Sequence, residues 1–247
     1  MALRARPEIL AMKGYSSARS LVASGASTVF LDANECPFEP YVGASDLARY
    51  PMQQPPELMR AVCDWLDMSS RNVTIMRGAD EAIDCLMRAF CVPAADNIVI
   101  CPPTFAMYRQ SAILQGVEVR EAPLATGFAL DKEAVLAQCD DNTKLVFICS
   151  PNNPTANLMD RDAVLTLCAD LAGRALVVVD ETYIEYAGVD SIAAALESHA
   201  NLVVLRTLSK SHAAAGVRCG VAVARADVGE LLALSLIHIS EPTRPLY

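Results

Sequence analysis

From Val73 onward, short unbroken apolar runs alternate with segments in which apolar residues recur every three or four positions. The runs predict strands at Val73–Met76, Asn97–Cys101, Val117–Glu121, Lys144–Cys149, Ala175–Val179, Asn201–Arg206 and Cys219–Ala224. The helical spacing is clearest at Asp80–Phe90, where Ile83, Leu86, Met87 and Phe90 fall at i, i+3, i+4 and i+7. Further helices are predicted at Phe105–Leu114, at Lys132–Gln138 with Asp131 as its cap, and at Asp162–Leu171. Runs such as LVFI and LVVV are apolar on both faces of a strand, which is the pattern of a largely parallel sheet covered by helices on each side. Residues 1–60 follow neither period and carry prolines at 37, 40, 51, 55 and 56, which predicts an irregular N-terminal arm lying over a surface.

Composition narrows the function class. The 247 residues are 53% hydrophobic and 20% charged, enough for one large domain with a sizeable core. A net charge of −9, with no Lys/Arg run, argues against nucleic acid and anionic membrane as partners. The nine cysteines lie mostly in apolar surroundings with no CxxC pair, and three histidines offer no zinc spacing; buried free thiols and no metal are expected. The first twenty residues lack the apolar stretch of a signal peptide, and no run approaches the ~20 residues of a membrane span, so a soluble cytoplasmic protein is expected.

In doubly wound sheets, ligands gather at the carboxyl ends of the strands. The polar motifs of this chain fall there: SPNNPT after the strand ending at Cys149, DETY after the strand ending at Val179, and RTLSK at and after Arg206. Gly78-Ala79-Asp80 stands where a helix begins, and free backbone N–H groups there suit a phosphate. These pieces point to pyridoxal phosphate. Lys210 can form a Schiff base with its aldehyde. Asp180 can pair with the ring nitrogen and keep it protonated, so that the ring accepts electrons when a substrate Cα–H bond breaks. Tyr183 and Asn153 can contact the phenolic oxygen. Thr207, Ser209 and Arg218 can bind the phosphate, the arginine through charge-assisted hydrogen bonds.

The motifs LDANE (31–35), RYP (49–51), RGADE (77–81), CPPTFAMY (101–108), CSPNNPT (149–155), VVVDETYIEY (177–186), LRTLSK (205–210) and AGVRCG (215–220) carry a resemblance. The chain is similar, from about residue 15 to 232, to fold-type I pyridoxal-phosphate aminotransferases, and among them to the histidinol-phosphate aminotransferase family. The resemblance implies Lys210 as the cofactor-bearing lysine, Asp180 as the ring-nitrogen partner, and Asn153 and Tyr183 at the phenolic oxygen. It places Ala79, Asp80, Thr207, Ser209 and Arg218 around the phosphate and Phe105 stacked on the ring. Tyr50 resembles the tyrosine that reaches the phosphate site of the neighbouring subunit, which implies a homodimer. Tyr15 and Asn34 resemble residues close to the substrate. The implied reaction moves an amino group from L-glutamate to imidazole-acetol phosphate, giving 2-oxoglutarate and L-histidinol phosphate, a step of histidine biosynthesis. A threonine-phosphate decarboxylase, similar in fold and site, and an inactive cofactor-binding fragment stay open as alternatives.

Three positions depart from the family pattern. Ala156 stands where glycine is usual and Thr182 where alanine is usual, and His212 replaces an aromatic residue, for which a packing role is expected. The resemblance stops near Leu232, and LSLIHISEPTR (234–244) is similar to a translated transposase sequencing adapter. The expected organisation is therefore an arm at 1–45, an incomplete cofactor-binding large domain at 46–233, and a non-native tail at 234–247 in place of a small C-terminal domain. Such a chain is expected to be weakly active or inactive.

Overall fold

A computed structural model describes residues 5–7 and 54–240. The element order is α1 (Pro56–Leu66), β1 (Val73–Met76), α2 (Ala79–Phe90), β2 (Asn97–Ile100), α3 (Met107–Leu114), β3 (Glu118–Glu121), α4 (Lys132–Gln138), β4 (Thr143–Cys149), α5 (Arg161–Asp170), β5 (Leu176–Asp180), β6 (Leu202–Thr207), β7 (Gly220–Ala224) and α6 (Ala226–Ser240), with short 3-10 turns between some of them. All seven expected strands are present within a residue or two of their predicted bounds.

The strands form one mixed sheet in the order β1-β7-β6-β5-β4-β2-β3. β7 runs antiparallel to both β1 and β6, and the remaining pairs are parallel. The two-faced apolar runs have the expected consequence. In β4, Leu145, Phe147 and Cys149 join one core layer with α2, α3 and α6, while Val146 and Ile148 join the opposite layer with α1, α4 and α5. In β5 the same division separates Leu176 and Val178 from Val177 and Val179. Each side chain alternates by the period of two, so a one-residue slip would exchange the layers.

One helix corrects the sequence reading and another lies where the sequence marks none. Residues 54–60 are not irregular: α1 starts at Pro56, and a proline at the first helical position loses no hydrogen bond because that N–H has no partner in the helix. Val62 buries its face, and Asp67 ends the helix in the left-handed conformation (φ 52°). The helix α6, which no periodicity marks, buries Val228, Leu231 and Leu232 against α2 and packs Leu234 and Leu236 on the same core. It crosses the 233/234 boundary without a break. The cap at Asp131 is observed, its carboxylate accepting the Ala134 N–H at 2.9 Å, and Asp160 caps α5 in the same way through Ala163 at 2.8 Å. The arm, with Tyr15, Asn34 and Tyr50, lies outside the described residues apart from 5–7.

Candidate active site

The sheet register brings the three polar motifs side by side. Cys149 pairs with Asp180 across β4 and β5, and Asp180 pairs with Leu205 across β5 and β6. The turns leaving these strands carry Asn153, Tyr183 and Lys210. Asn153 and Tyr183 line one cleft of about 480 Å³ together with Pro151, Leu158 and Tyr186. Lys210 is exposed, and its Nζ lies 5.8 Å from the centre of the Tyr183 ring.

Asp180 is 2% exposed and no arginine, lysine or histidine pairs with it among the described residues. It survives burial through three donors. The Tyr108 hydroxyl donates to Oδ2 at 2.7 Å, and the Thr182 hydroxyl and N–H both donate to Oδ1, at 2.6 and 3.0 Å. Burial pushes the Asp180 carboxyl up from its ordinary range, and these hydrogen bonds oppose that rise. Tyr108 is fully buried and its phenol is pushed well up, first by burial and then by the neighbouring carboxylate, so it remains a donor. Its ring stacks on Phe147 at 4.8 Å and meets the edge of Phe105 at 5.6 Å. Burial also drives the Cys149 thiol up to about 12, which keeps it an uncharged neighbour of Asp180.

Of the residues expected around a phosphate, Ala79 and Asp80 open α2 and Arg218 lies beside them. The N-cap of α2 is Gly78, which has no side chain to cap the first turn, and the backbone N–H groups there lack intrahelical partners. The Arg218 guanidinium lies across this end, donating to the Arg77 carbonyl at 3.4 Å and standing 4.0 Å from the Asp80 carboxylate. It remains half exposed, free to turn to an anion. Thr207 donates to Ser209 Oγ at 3.0 Å at the end of β6. Two glycines make the cup possible. A Cβ on Gly220 would stand 2.3 Å from the Gly78 carbonyl carbon and 2.6 Å from the Ala79 nitrogen; one on Gly78 would stand 2.7 Å from Arg218 Nη2. Gly78 also has a φ of 92°, which side-chain-bearing residues rarely adopt.

Pyridoxal phosphate fits this donor set. A buried carboxylate without a countercharge suits a cationic ring N–H, and an uncapped helix end beside an arginine suits a phosphate. Sequence reasoning singles out Asp180 but misses Tyr108, Gly78's steric role and Gly220. Tyr108 is legible in part: a tyrosine on the apolar face of a buried helix needs a partner for its hydroxyl. The departures resolve differently. Ala156 takes the left-handed conformation at φ 61°, the strained position expected there. Thr182 contributes the hydroxyl bond to Asp180. His212 is exposed in the turn after Lys210 and meets the Trp65 ring edge-on at 4.9 Å; Trp65 in turn lies 5.0 Å from the Arg206 guanidinium.

The described cysteines are all free thiols, no group of metal-ligating side chains occurs among the described residues, and no described helix is long and apolar enough to cross a membrane.

Comparison with known proteins gives the same picture. The aminotransferase class I and II family matches residues 38–239. Histidinol-phosphate aminotransferase 1 of Haemophilus influenzae (strain 86-028NP) is 41% identical over 229 residues, and histidinol-phosphate aminotransferase of Sodalis glossinidius is 43% identical over 230; each alignment covers 92% of this chain. The chain spans 64% and 63% of those proteins, less than two thirds of their length. Among solved structures, the histidinol-phosphate aminotransferase of Clostridium acetobutylicum has a TM-score of 0.68 at 22% identity, covering 78% of this chain and 56% of its own. An aspartate aminotransferase double mutant of Thermus thermophilus reaches a TM-score of 0.70 at 23% identity, covering 77% of this chain and 52% of its own. These structural likenesses speak to the fold. Together with the family match and the sequence relatives, they establish that the chain belongs to the pyridoxal-phosphate-dependent aminotransferase class I and II family.

Proposed function

We propose that the chain is the cofactor-binding part of a histidinol-phosphate aminotransferase, an enzyme that acts as a cytoplasmic homodimer on L-glutamate and imidazole-acetol phosphate, and that by itself this chain is weakly active or inactive. The observation that carries this reading is the register of β4, β5 and β6, which sets the turns bearing Asn153, Tyr183 and Lys210 side by side at one end of the sheet, together with Arg218 lying over the start of α2. The names of the sequence relatives, histidinol-phosphate aminotransferases, support an aminotransferase reading in which histidinol phosphate takes part.

Each residue then has a task. Ala79 and Asp80, through their N–H groups, hold the phosphate with Thr207, Ser209 and Arg218. Phe105 would lie against the ring, Tyr183 and Asn153 would donate to its phenolic oxygen, and Asp180 would hold the proton on its ring nitrogen. Lys210 would be the amine that holds the cofactor and the base for the substrate Cα proton. The bound cofactor supplies a sink for the electron pair left by that proton. Tyr50 completes the phosphate site of the partner subunit, and Tyr15 and Asn34 approach the substrate.

The test is direct. Borohydride reduction of the chain incubated with pyridoxal phosphate, followed by peptide mapping, fixes the label on Lys210; a label on another lysine overturns the assignment. Release of 2-oxoglutarate from glutamate supports the aminotransferase, whereas release of CO₂ from threonine phosphate supports the decarboxylase. Mixing Tyr50→Phe and Lys210→Ala subunits tests the shared sites.

A further inference from the structure

We infer that Thr182 is a positioning residue that fills one oxygen of Asp180 and so directs the single acceptor site left on that carboxylate, at Oδ2, to the cofactor ring nitrogen. This rests on the assignment of Asp180 to that nitrogen. The geometry is one of counting. A carboxylate offers about two acceptor sites on each oxygen. Oδ1 receives two donors, the Thr182 hydroxyl at 2.6 Å and the Thr182 N–H at 3.0 Å. Among the described residues, Oδ2 receives only the Tyr108 hydroxyl, at 2.7 Å. The open acceptor site therefore lies on Oδ2. Donors on both oxygens also stop the carboxyl group rotating about its Cβ–Cγ bond, so that site keeps one direction.

The hydroxyl is the adjustable part. The Thr182 N–H bond belongs to the turn after β5 and would survive any side chain, whereas the hydroxyl bond is made only by threonine or serine. The other titratable groups around Asp180 are Tyr108 from α3, Cys149 from β4 and Asp80 from α2. The first two are held uncharged by burial, and the third carries the same sign as Asp180 and disfavours its ionised form. Hydrogen bonds thus carry the stabilisation of the Asp180 anion, and the Thr182 hydroxyl gives the shortest of them.

The experiment compares Thr182→Val, which keeps the shape and loses the hydroxyl, with Thr182→Ser, which keeps the hydroxyl and loses the methyl group. In the cofactor-free full chain, the ¹³C shift of the Asp180 carboxyl, identified through Asp180→Asn, is followed against pH within the folded range. The valine variant is expected to raise the protonation midpoint by about one pH unit, the size expected for one lost hydrogen bond to a charged group. The serine variant is expected to stay at the original value. With pyridoxal phosphate added, the valine variant is expected to bind about tenfold more weakly, with a shifted pH dependence of the visible absorption band, and serine to restore both. A purely packing role gives the opposite ranking, with valine equal to the original chain and serine impaired, and that result overturns the inference. A midpoint that moves while the cofactor band ignores it removes Asp180 from the ring nitrogen, and with it both the functional assignment of Asp180 and the role inferred for Thr182.

Discussion

Adding one methyl group at Gly220 is expected to push the start of α2 away from β7, at the proposed phosphate site. The added Cβ of Gly220→Ala would sit 2.3 Å from the carbonyl carbon of Gly78, 2.6 Å from its Cα and 2.6 Å from the Ala79 nitrogen. Unstrained contacts between heavy atoms need about 3.5 Å, so the two segments must separate by about 1 Å. All three atoms are backbone, and no rotamer change can relieve them. Nor can β7 move freely, because Gly220 is paired with Met76 of β1 on one side and Thr207 of β6 on the other. Overpacking of this kind costs about 1–3 kcal/mol. The displacement falls where it matters chemically: Gly78 opens α2, Thr207 is the registered partner, and Arg218 lies two residues upstream. Urea unfolding and a pyridoxal-phosphate titration are the assays, with Gly216→Ala as the control. A methyl group placed on Gly216 would have nothing within 4 Å, so the control is expected to change stability by less than about 0.5 kcal/mol. Gly220→Ala is expected to lose stability by about 1–3 kcal/mol and to bind the cofactor at least about tenfold more weakly. A Gly220→Ala chain matching the control in both measurements would refute the claim that this glycine contact shapes the site.

Ala156→Gly relieves a left-handed residue (φ 61°) and is expected to stabilise the chain by about 0.5–1 kcal/mol, read as a higher urea midpoint at constant slope. Asp131→Ala removes the cap that accepts the Ala134 N–H and is expected to cost about 1 kcal/mol while leaving cofactor affinity unchanged. Asp180→Asn is expected to keep cofactor bound and to lower turnover of an active form roughly a hundredfold or more, because an amide cannot hold a ring proton as a carboxylate does. Tyr108→Phe deletes the donor to Oδ2 and leaves a buried carboxylate short of one bond; a loss of about 1–3 kcal/mol in unfolding free energy is expected, and an unchanged value would mean that this bond contributes nothing.

Much of this protein is legible along the chain. Strands buried on both faces read as continuous apolar runs, so β4, β5 and β6 and the motifs at their ends can be located without coordinates. Asp180, Lys210, Arg218 and the Gly78 turn stand out as candidates because the proposed chemistry demands particular residue types at strand ends and helix starts. The helix α1 escapes a sequence reading because a proline at a first helical position looks like a breaker until the helix behind it is seen. The helix α6 escapes it because its apolar residues are too numerous to show a period, and burial against α2 selects its inner face. The contacts that complete the site lie beyond any local pattern. Tyr108 reaches Asp180 across 72 positions, and Gly220 meets Gly78 only because β7 returns antiparallel beside β1. Local periodicity reports which face of an element is apolar, whereas partners distant in sequence are chosen by sheet order and packing, and these the tertiary structure alone decides.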